Sequence, residues 1–240
     1  MNDGYARLPG WLAGGDLAAA RAAADQVVAA GVDAGCPREH NTLLPLRWRD
    51  PLVAQLLAAP ARVAAVRAAV GASDLRWISG YVSTKDPRSG ALEWHRDWWC
   101  WEHPASLAEP APQVALLVYL IDTDERTGAL RVRPGSHRGD CGEPLTLAAR
   151  AGDAVALDYR LDHGTHPNAA DRRRDAVILN FAPAWASLPA DIRGHLISHH
   201  ALPTADEDPA GSVLAPLLPR FDGPRRDLTL NHTPAWEVAA

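Results

Sequence analysis

The segment Trp94-His95-Arg96-Asp97 carries the clearest chemical signal in the chain. In an extended strand, residues i and i+2 share a face, so His95 and Asp97 project together and Arg96 projects away. One imidazole and one carboxylate on a common face are two ligands for a divalent metal. A second imidazole would complete a set that occupies one face of an octahedron and leaves three positions open. That arrangement suits non-haem Fe(II) oxygen chemistry. The spacing His-x-Asp is short, and a surface pair beside a turn is the plain alternative.

The third ligand has several candidates. His137 lies in Pro-Gly-Ser-His, and His163 and His166 lie in Asp162-His163-Gly164-Thr165-His166. After His163 comes the turn-rich run Pro167-Asn168-Ala169-Ala170-Asp171 and then Arg172-Arg173-Arg174, leading into an apolar strand at 176–181. A hairpin closing on 168–171 would set Thr165 opposite Arg174. A guanidinium beside a metal-binding His can grip a carboxylate through two parallel hydrogen bonds, as a dicarboxylate cosubstrate requires. A solvated charged turn is the other reading of the Arg run. Nothing comparable follows His137.

Taken together these pieces resemble the phytanoyl-CoA dioxygenase family of Fe(II)/2-oxoglutarate oxygenases. The matching parts, in order, are His95-Arg96-Asp97, the run Gly128-Ala129-Leu130-Arg131-Val132-Arg133-Pro134-Gly135-Ser136-His137, Gly152-Asp153, His163-Gly164-Thr165 with Asn168, and Arg174. The resemblance covers roughly 75–183. It implies a double-stranded β-helix (jelly roll) with the metal inside. It implies that His95, Asp97 and His163 bind iron, that Arg174 holds the far carboxylate of 2-oxoglutarate, and that Thr165 assists it. His137 then becomes a turn residue, and His166 stays open. The implied reaction consumes O2 and 2-oxoglutarate, releases succinate and CO2, and removes hydrogen from a small-molecule substrate. Related halogenases replace the carboxylate ligand with a small residue, so Asp97 favours hydroxylation, desaturation or oxidative ring closure. The expected enzyme is a natural-product tailoring oxygenase, with sugar-containing metabolites among the candidate substrates. An acyl-CoA or amino-acid-derivative hydroxylase is the alternative within the family. A non-catalytic metal- or ligand-binding jelly roll and a zinc hydrolase are the alternatives outside it, and neither needs Arg174.

Two compositional features bear on the substrate. Of nine Trp, four fall between Trp94 and Trp101, whereas Phe occurs only twice. If the ligand strand continues, Trp99 and Trp101 share the face of Asp97. Trp98, Trp99 and Trp101 are then candidate substrate-binding residues, flat indoles against a ring, with core filling as the alternative. Lys85 is the only Lys among 24 basic residues, and its retention suggests a place near the cosubstrate or the substrate entrance.

These residues need a scaffold. A chain of 240 residues with 47% apolar and 22% charged residues can bury one substantial core, and one domain is expected over 1–240. Its parts would be helical 1–72, a jelly-roll core at about 73–185 and an extension over 186–240. Helices are expected at 16–30 behind Asp16, at 52–58 after Pro51, and from Pro60 to before Gly71. Strands are expected at 75–84, 91–97, 114–121, 129–132, 154–158 and 176–181, with a helix at 190–198. This pattern reads as mainly β with flanking α. Residues 203–211 read as a mobile surface loop. A net charge of −5 argues against a nucleic-acid partner. Cys36, Cys100 and Cys141 show no C-x-x-C spacing and read as free thiols. With no leader-like start and no 18-residue apolar run, a cytoplasmic protein without a membrane partner is expected. Oligomeric state leaves no trace in the sequence.

Overall fold

Proline opens two helices and Gly71 closes one as expected, but the first helix runs through Gly31 to Asp33 instead of stopping at about Ala30. The computed structural model describes residues 1–35, 41–140 and 142–234. Its helices are α1 (Gly14–Asp33), α2 (Pro51–Leu57), α3 (Pro60–Val70) and α4 (Ala190–Leu196). Pro51 and Pro60 each open a first turn, where the missing N–H costs nothing, and Gly71 closes α3 with φ +66°. Asp16 lies in the first turn of α1 rather than at its cap, which is Ala13.

Ten strands follow: β1 (Tyr5–Leu8), β2 (Thr42–Leu46), β3 (Arg76–Lys85), β4 (Leu92–His95), β5 (Val114–Tyr119), β6 (Leu130–Val132), β7 (Leu145–Leu147), β8 (Ala154–Asp158), β9 (His163–Thr165) and β10 (Arg174–Ala182). They form a six-stranded sheet, β1-β8-β5-β10-β3-β2, and a four-stranded sheet, β4-β9-β6-β7, with every pairing antiparallel. The architecture is mainly β with flanking helices, two facing sheets of a jelly-roll core. The outer face of the large sheet meets the helices in one apolar cluster that runs from Leu8 and Leu12 through Leu52, Val66 and Trp77 to Leu218. A second cluster holds Ile78, Trp98, Trp101, Trp185 and Ile192.

Three further expectations change. The first 70 residues also contribute two strands to the large sheet, β1 against β8 and β2 against β3. The ligand strand ends at His95 instead of continuing to Asp97 and the tryptophans beyond. And β9 and β10 lie in different sheets, so Thr165 and Arg174 are not hairpin partners; Arg174 pairs with Lys85. The exposed stretch 203–211 is pinned by Glu207, which accepts from Trp48 Nε1 at 3.0 Å and pairs with Arg47 and Arg49. Cys100 is a buried free thiol; Cys36 and Cys141 lie outside the described residues. Among the described residues no single helix is long and apolar enough to cross a membrane.

Candidate functional site

Antiparallel pairing of β4 with β9 places His95 directly opposite His163. Their ring centroids are 4.3 Å apart, tilted by 49°. This approach depends on Gly164: a Cβ there would stand 2.7 Å from the Leu92 carbonyl oxygen and 3.1 Å from that of Glu93. The chain leaves the strand after His95 and brings Asp97 across both rings. His95 Nε2 is 3.7 Å from Asp97 Oδ1, and His163 Nε2 is 3.6 Å from Asp97 Oδ2. One donor atom from each of the three residues lies within 4.8 Å of the others.

The remaining ring nitrogens fix the chemistry of the pair. His95 Nδ1 lies 2.8 Å from the Glu93 carbonyl oxygen, and His163 Nδ1 lies 2.9 Å from that of Leu161. A carbonyl only accepts, so each Nδ1 carries the proton and each Nε2 presents a lone pair toward Asp97. Burial pushes His163 below the ordinary imidazole value, against the opposing pull of Asp97, which keeps it in the neutral, ligating form.

The triad opens on a cavity of about 800 Å³ between the two sheets. Arg174, at the start of β10, enters the cavity and is 3% exposed. Its Nη1 donates to Ser83 Oγ at a long 3.4 Å, and its Nε has no partner. Burial holds this guanidinium below its usual range, opposed by Tyr119 and Asp175. Thr165 shares the His163 face of β9 and also lines the cavity, its Oγ1 accepting from Leu92 N at 3.3 Å. Tyr119 lines the same region, and burial pushes its phenol up to about 12.

The structure therefore brings together His95, Asp97, His163, Thr165 and Arg174, with Trp99 on the cavity wall. His195 stacks on Trp99 at 4.4 Å, and Trp98 lies tilted against it at 5.1 Å, so one face of this indole is already taken by the protein. Trp98 and Trp101 pack in the apolar cluster and do not line the cavity; the strand that would have turned Trp101 inward stops at His95, and Trp98 would have faced away in either case. Lys85 does not line it either: its buried ammonium donates to the Gly90 carbonyl. Trp94 lies under the guanidinium groups of Arg131 and Arg133, 4.8 and 4.3 Å from its centroid. His137 is buried in a 3₁₀ turn away from the cavity, and His166 Nε2 meets Thr146 Oγ1 at 2.8 Å. Cavity residues that sequence reasoning passed over include Tyr81, Gln113, Tyr119, Tyr159 and Asn180. Alternation on β3, β5 and β10 turns Tyr81, Tyr119 and Asn180 inward, and Gln113 and Tyr159 flank the ends of β5 and β8, but polar residues turned toward a sheet interior carry no motif.

Comparison with known proteins agrees with this geometry. One curated relative, a "probable alpha-ketoglutarate-dependent hypophosphite dioxygenase" of Stutzerimonas stutzeri, is 25% identical over 139 residues, 47% of each chain. The chain thus spans about half the length of that relative. The crystal structure of AviO1 from Streptomyces viridochromogenes Tue57 superposes with a TM-score of 0.61 at 22% identity, over 75% of this chain and 90% of that one. The epimerase SnoN, in complex with Fe3+, alpha ketoglutarate and nogalamycin RO, gives 0.62 at 22% identity, over 77% and 80%. At such identities the two structures speak for the fold alone. The sequence profile of the phytanoyl-CoA dioxygenase family, in contrast, matches residues 1–176, well over half of the chain, and the protein belongs to that family.

Proposed function

We propose that the protein is an Fe(II)- and 2-oxoglutarate-dependent oxygenase that hydroxylates or oxidatively cyclises a small-molecule metabolite, with a sugar-containing one as the candidate class. The observation that carries this reading is the convergence of two imidazole Nε2 atoms and one carboxylate on the wall of a cavity that also holds a buried guanidinium with an unpartnered Nε. The donor set fits iron: two neutral imidazoles and one carboxylate, with Nδ1 tied to backbone carbonyls. The buried Arg174 fits the dicarboxylate, since a desolvated cation asks for an anion.

When bound, iron with 2-oxoglutarate and O2 supplies the oxidising power that removes a substrate hydrogen, and succinate and CO2 leave. The chain's own part is to hold and orient. His95, Asp97 and His163 would hold the metal at the cavity wall. Arg174 grips the far carboxylate of 2-oxoglutarate, and the Thr165 hydroxyl gives it a hydrogen bond. Leu92, Leu117, Leu130 and Ile178 keep the walls apolar. SnoN binds a small-molecule metabolite, which accords with a substrate of that class here.

Anaerobic addition of Fe(II) and 2-oxoglutarate should produce the weak charge-transfer absorption in the green that marks this chelate. His163→Ala should abolish it, and Arg174→Gln should weaken 2-oxoglutarate binding by about tenfold or more. A band that survives in His163→Ala and is lost in His137→Ala would overturn the assignment. No band in the wild type would favour a zinc hydrolase or a binding protein.

A further inference from the structure

Two buried carboxamides lie side by side on the large sheet and face the cavity away from Arg174. Asn180 lines up with Ala115 in the β5–β10 register, so Gln113, two residues before Ala115, is its diagonal neighbour. Both line the cavity, and both are almost fully buried, at 4% and 3% exposure. The alternation Arg174, Ala176, Ile178, Asn180 puts this pair about 20 Å along β10 from the guanidinium. A bulge in β3 between the partners of Asn180 and Phe181 makes room there, and Ile78 and Ser79 also line the wall.

The hydrogen-bond balance at this end is incomplete. Asn180 Nδ2 donates to Ser79 Oγ at 2.9 Å, while Asn180 Oδ1 has no partner. Gln113 Oε1 accepts from Trp99 Nε1 at 2.6 Å, which leaves its amide hydrogens unused. A buried carbonyl oxygen without a donor is destabilising, and a ligand group or a water that donates to it relieves that cost. The surrounding wall residues Ile78, Ser79, Trp99 and Leu196 carry no charge. A carboxylate would set oxygen against the Asn180 oxygen, and an ammonium would find no counter-ion beside the pair. A hydroxyl meets both needs, because it donates to Asn180 Oδ1 and accepts from Gln113 Nε2.

We propose that Asn180 and Gln113 form a substrate-recognition subsite for an uncharged, hydroxylated part of the substrate, such as a pyranose or cyclitol ring. The subsite deepens the oxygenase reading and rests on it for the identity of the remaining ligands. Zn(II) and 2-oxoglutarate occupy the inner site without turnover or paramagnetism. On that loaded protein, saturation-transfer NMR reads binding of methyl β-D-glucopyranoside, methyl β-D-xylopyranoside and myo-inositol, against cyclohexanecarboxylate and cyclohexylammonium. At least one hydroxylated probe should bind in preference to the charged ones. Asn180→Leu and Gln113→Met should each weaken it by about tenfold. Both variants should keep the Fe(II)/2-oxoglutarate band, which shows that they are folded and loaded. Preference for a charged probe, binding by both variants as tight as by the wild type, or no binding of any hydroxylated probe would overturn the subsite. Absence of the band in the wild type would instead overturn the oxygenase reading, while the probe comparison would still decide this one.

Discussion

The carbonyls of Glu93 and Leu161 decide which nitrogen of each imidazole is available, so the metal-binding capacity of this chain resides partly in its backbone. The solitary lysine is a parallel case of a residue selected by its surroundings. Lys85 is 0% exposed and lies opposite Arg174 in the β3–β10 register. A Cβ on Gly128, whose φ is +80°, would meet Lys85 Cδ at 2.7 Å. A slender stem with a compact head fits this space, whereas the planar guanidinium of Arg does not. Burial, with help from Arg174 and Arg131, lowers its ammonium to about 8. In the unfolded chain the value returns to about 10.4. Between these limits the unfolded state binds more protons than the folded one, so stability rises with pH. Below pH 8 both states are protonated and the destabilisation is present in full. Urea unfolding of wild type and Lys85→Met from pH 7.5 to 9.5 checks this. The wild type should gain on the variant by a fraction of the ~1.4 kcal/mol per pH unit that one full proton gives. Parallel pH profiles would show that Lys85 is not the titrating group.

At the scale of elements, the segment after α4 closes the outer side of the cavity. Arg225, Arg226, Asp227, Leu230 and His232 line it. The segment is tied down by Trp185 Nε1 donating to the Arg220 carbonyl (3.0 Å), Arg226 N to Gly194 O (3.0 Å) and Leu228 N to His195 Nδ1 (3.2 Å). Its last tie is a bridge in which Asn231 N donates to Trp99 O at 2.7 Å and Asn231 O accepts from Trp101 N at 3.3 Å. Asn231→Pro removes the first of these donors, a loss of about 0.5–1.5 kcal/mol, and should release the end of the segment. Hydrogen–deuterium exchange should quicken over 226–233 and stay unchanged in β10. Unchanged exchange over 226–233 would place the anchor elsewhere. This closure was not legible in the sequence, since no periodicity marks a segment held by tertiary hydrogen bonds. The helices were legible, because Pro51, Pro60 and Gly71 act locally. Strands β5 and β8 announced themselves as apolar runs. The four-residue β1, the three-residue β7 and β9, and the edge strand β2 with Pro45 did not, because pairing across the chain defines them. At the site, His-x-Asp was visible, but the end of the strand at His95 was not, and that ending separates Trp99 from Trp101.

For the whole molecule, the N-terminal part is joined to the sheets that carry the site by β1 against β8, by β2 against β3 and by the shared apolar cluster, and Gly152-Asp153 adds a further joint. Gly152 N donates to Tyr119 O at 2.8 Å, and Gly152 O accepts from Leu12 N at 2.9 Å. Asp153 Oδ1 accepts from Gly10 N at 2.8 Å. One dipeptide thus ties the segment before α1 to the end of β5, where Tyr119 lines the cavity near Arg174. Gly152 has φ +93°, and a Cβ there would stand 1.9 Å from Leu12 O, a backbone atom with no rotamer to change. Gly152→Ala must therefore push the N-terminal segment off the sheet. Strain of about 1–3 kcal/mol at such a φ adds to the lost contacts, a large share of the ~5–15 kcal/mol that holds a domain folded. The variant should unfold at markedly lower urea than wild type. The same measurement addresses whether residues 1–240 act as one domain. Far-UV circular dichroism weighs the helices, and pulsed amide exchange in β10 weighs the jelly-roll core. In the wild type the two transitions should coincide, as one shared core requires. Separate transitions in the wild type would mean that the helical part and the jelly roll are two units, and that the joint at Gly152 couples them only weakly.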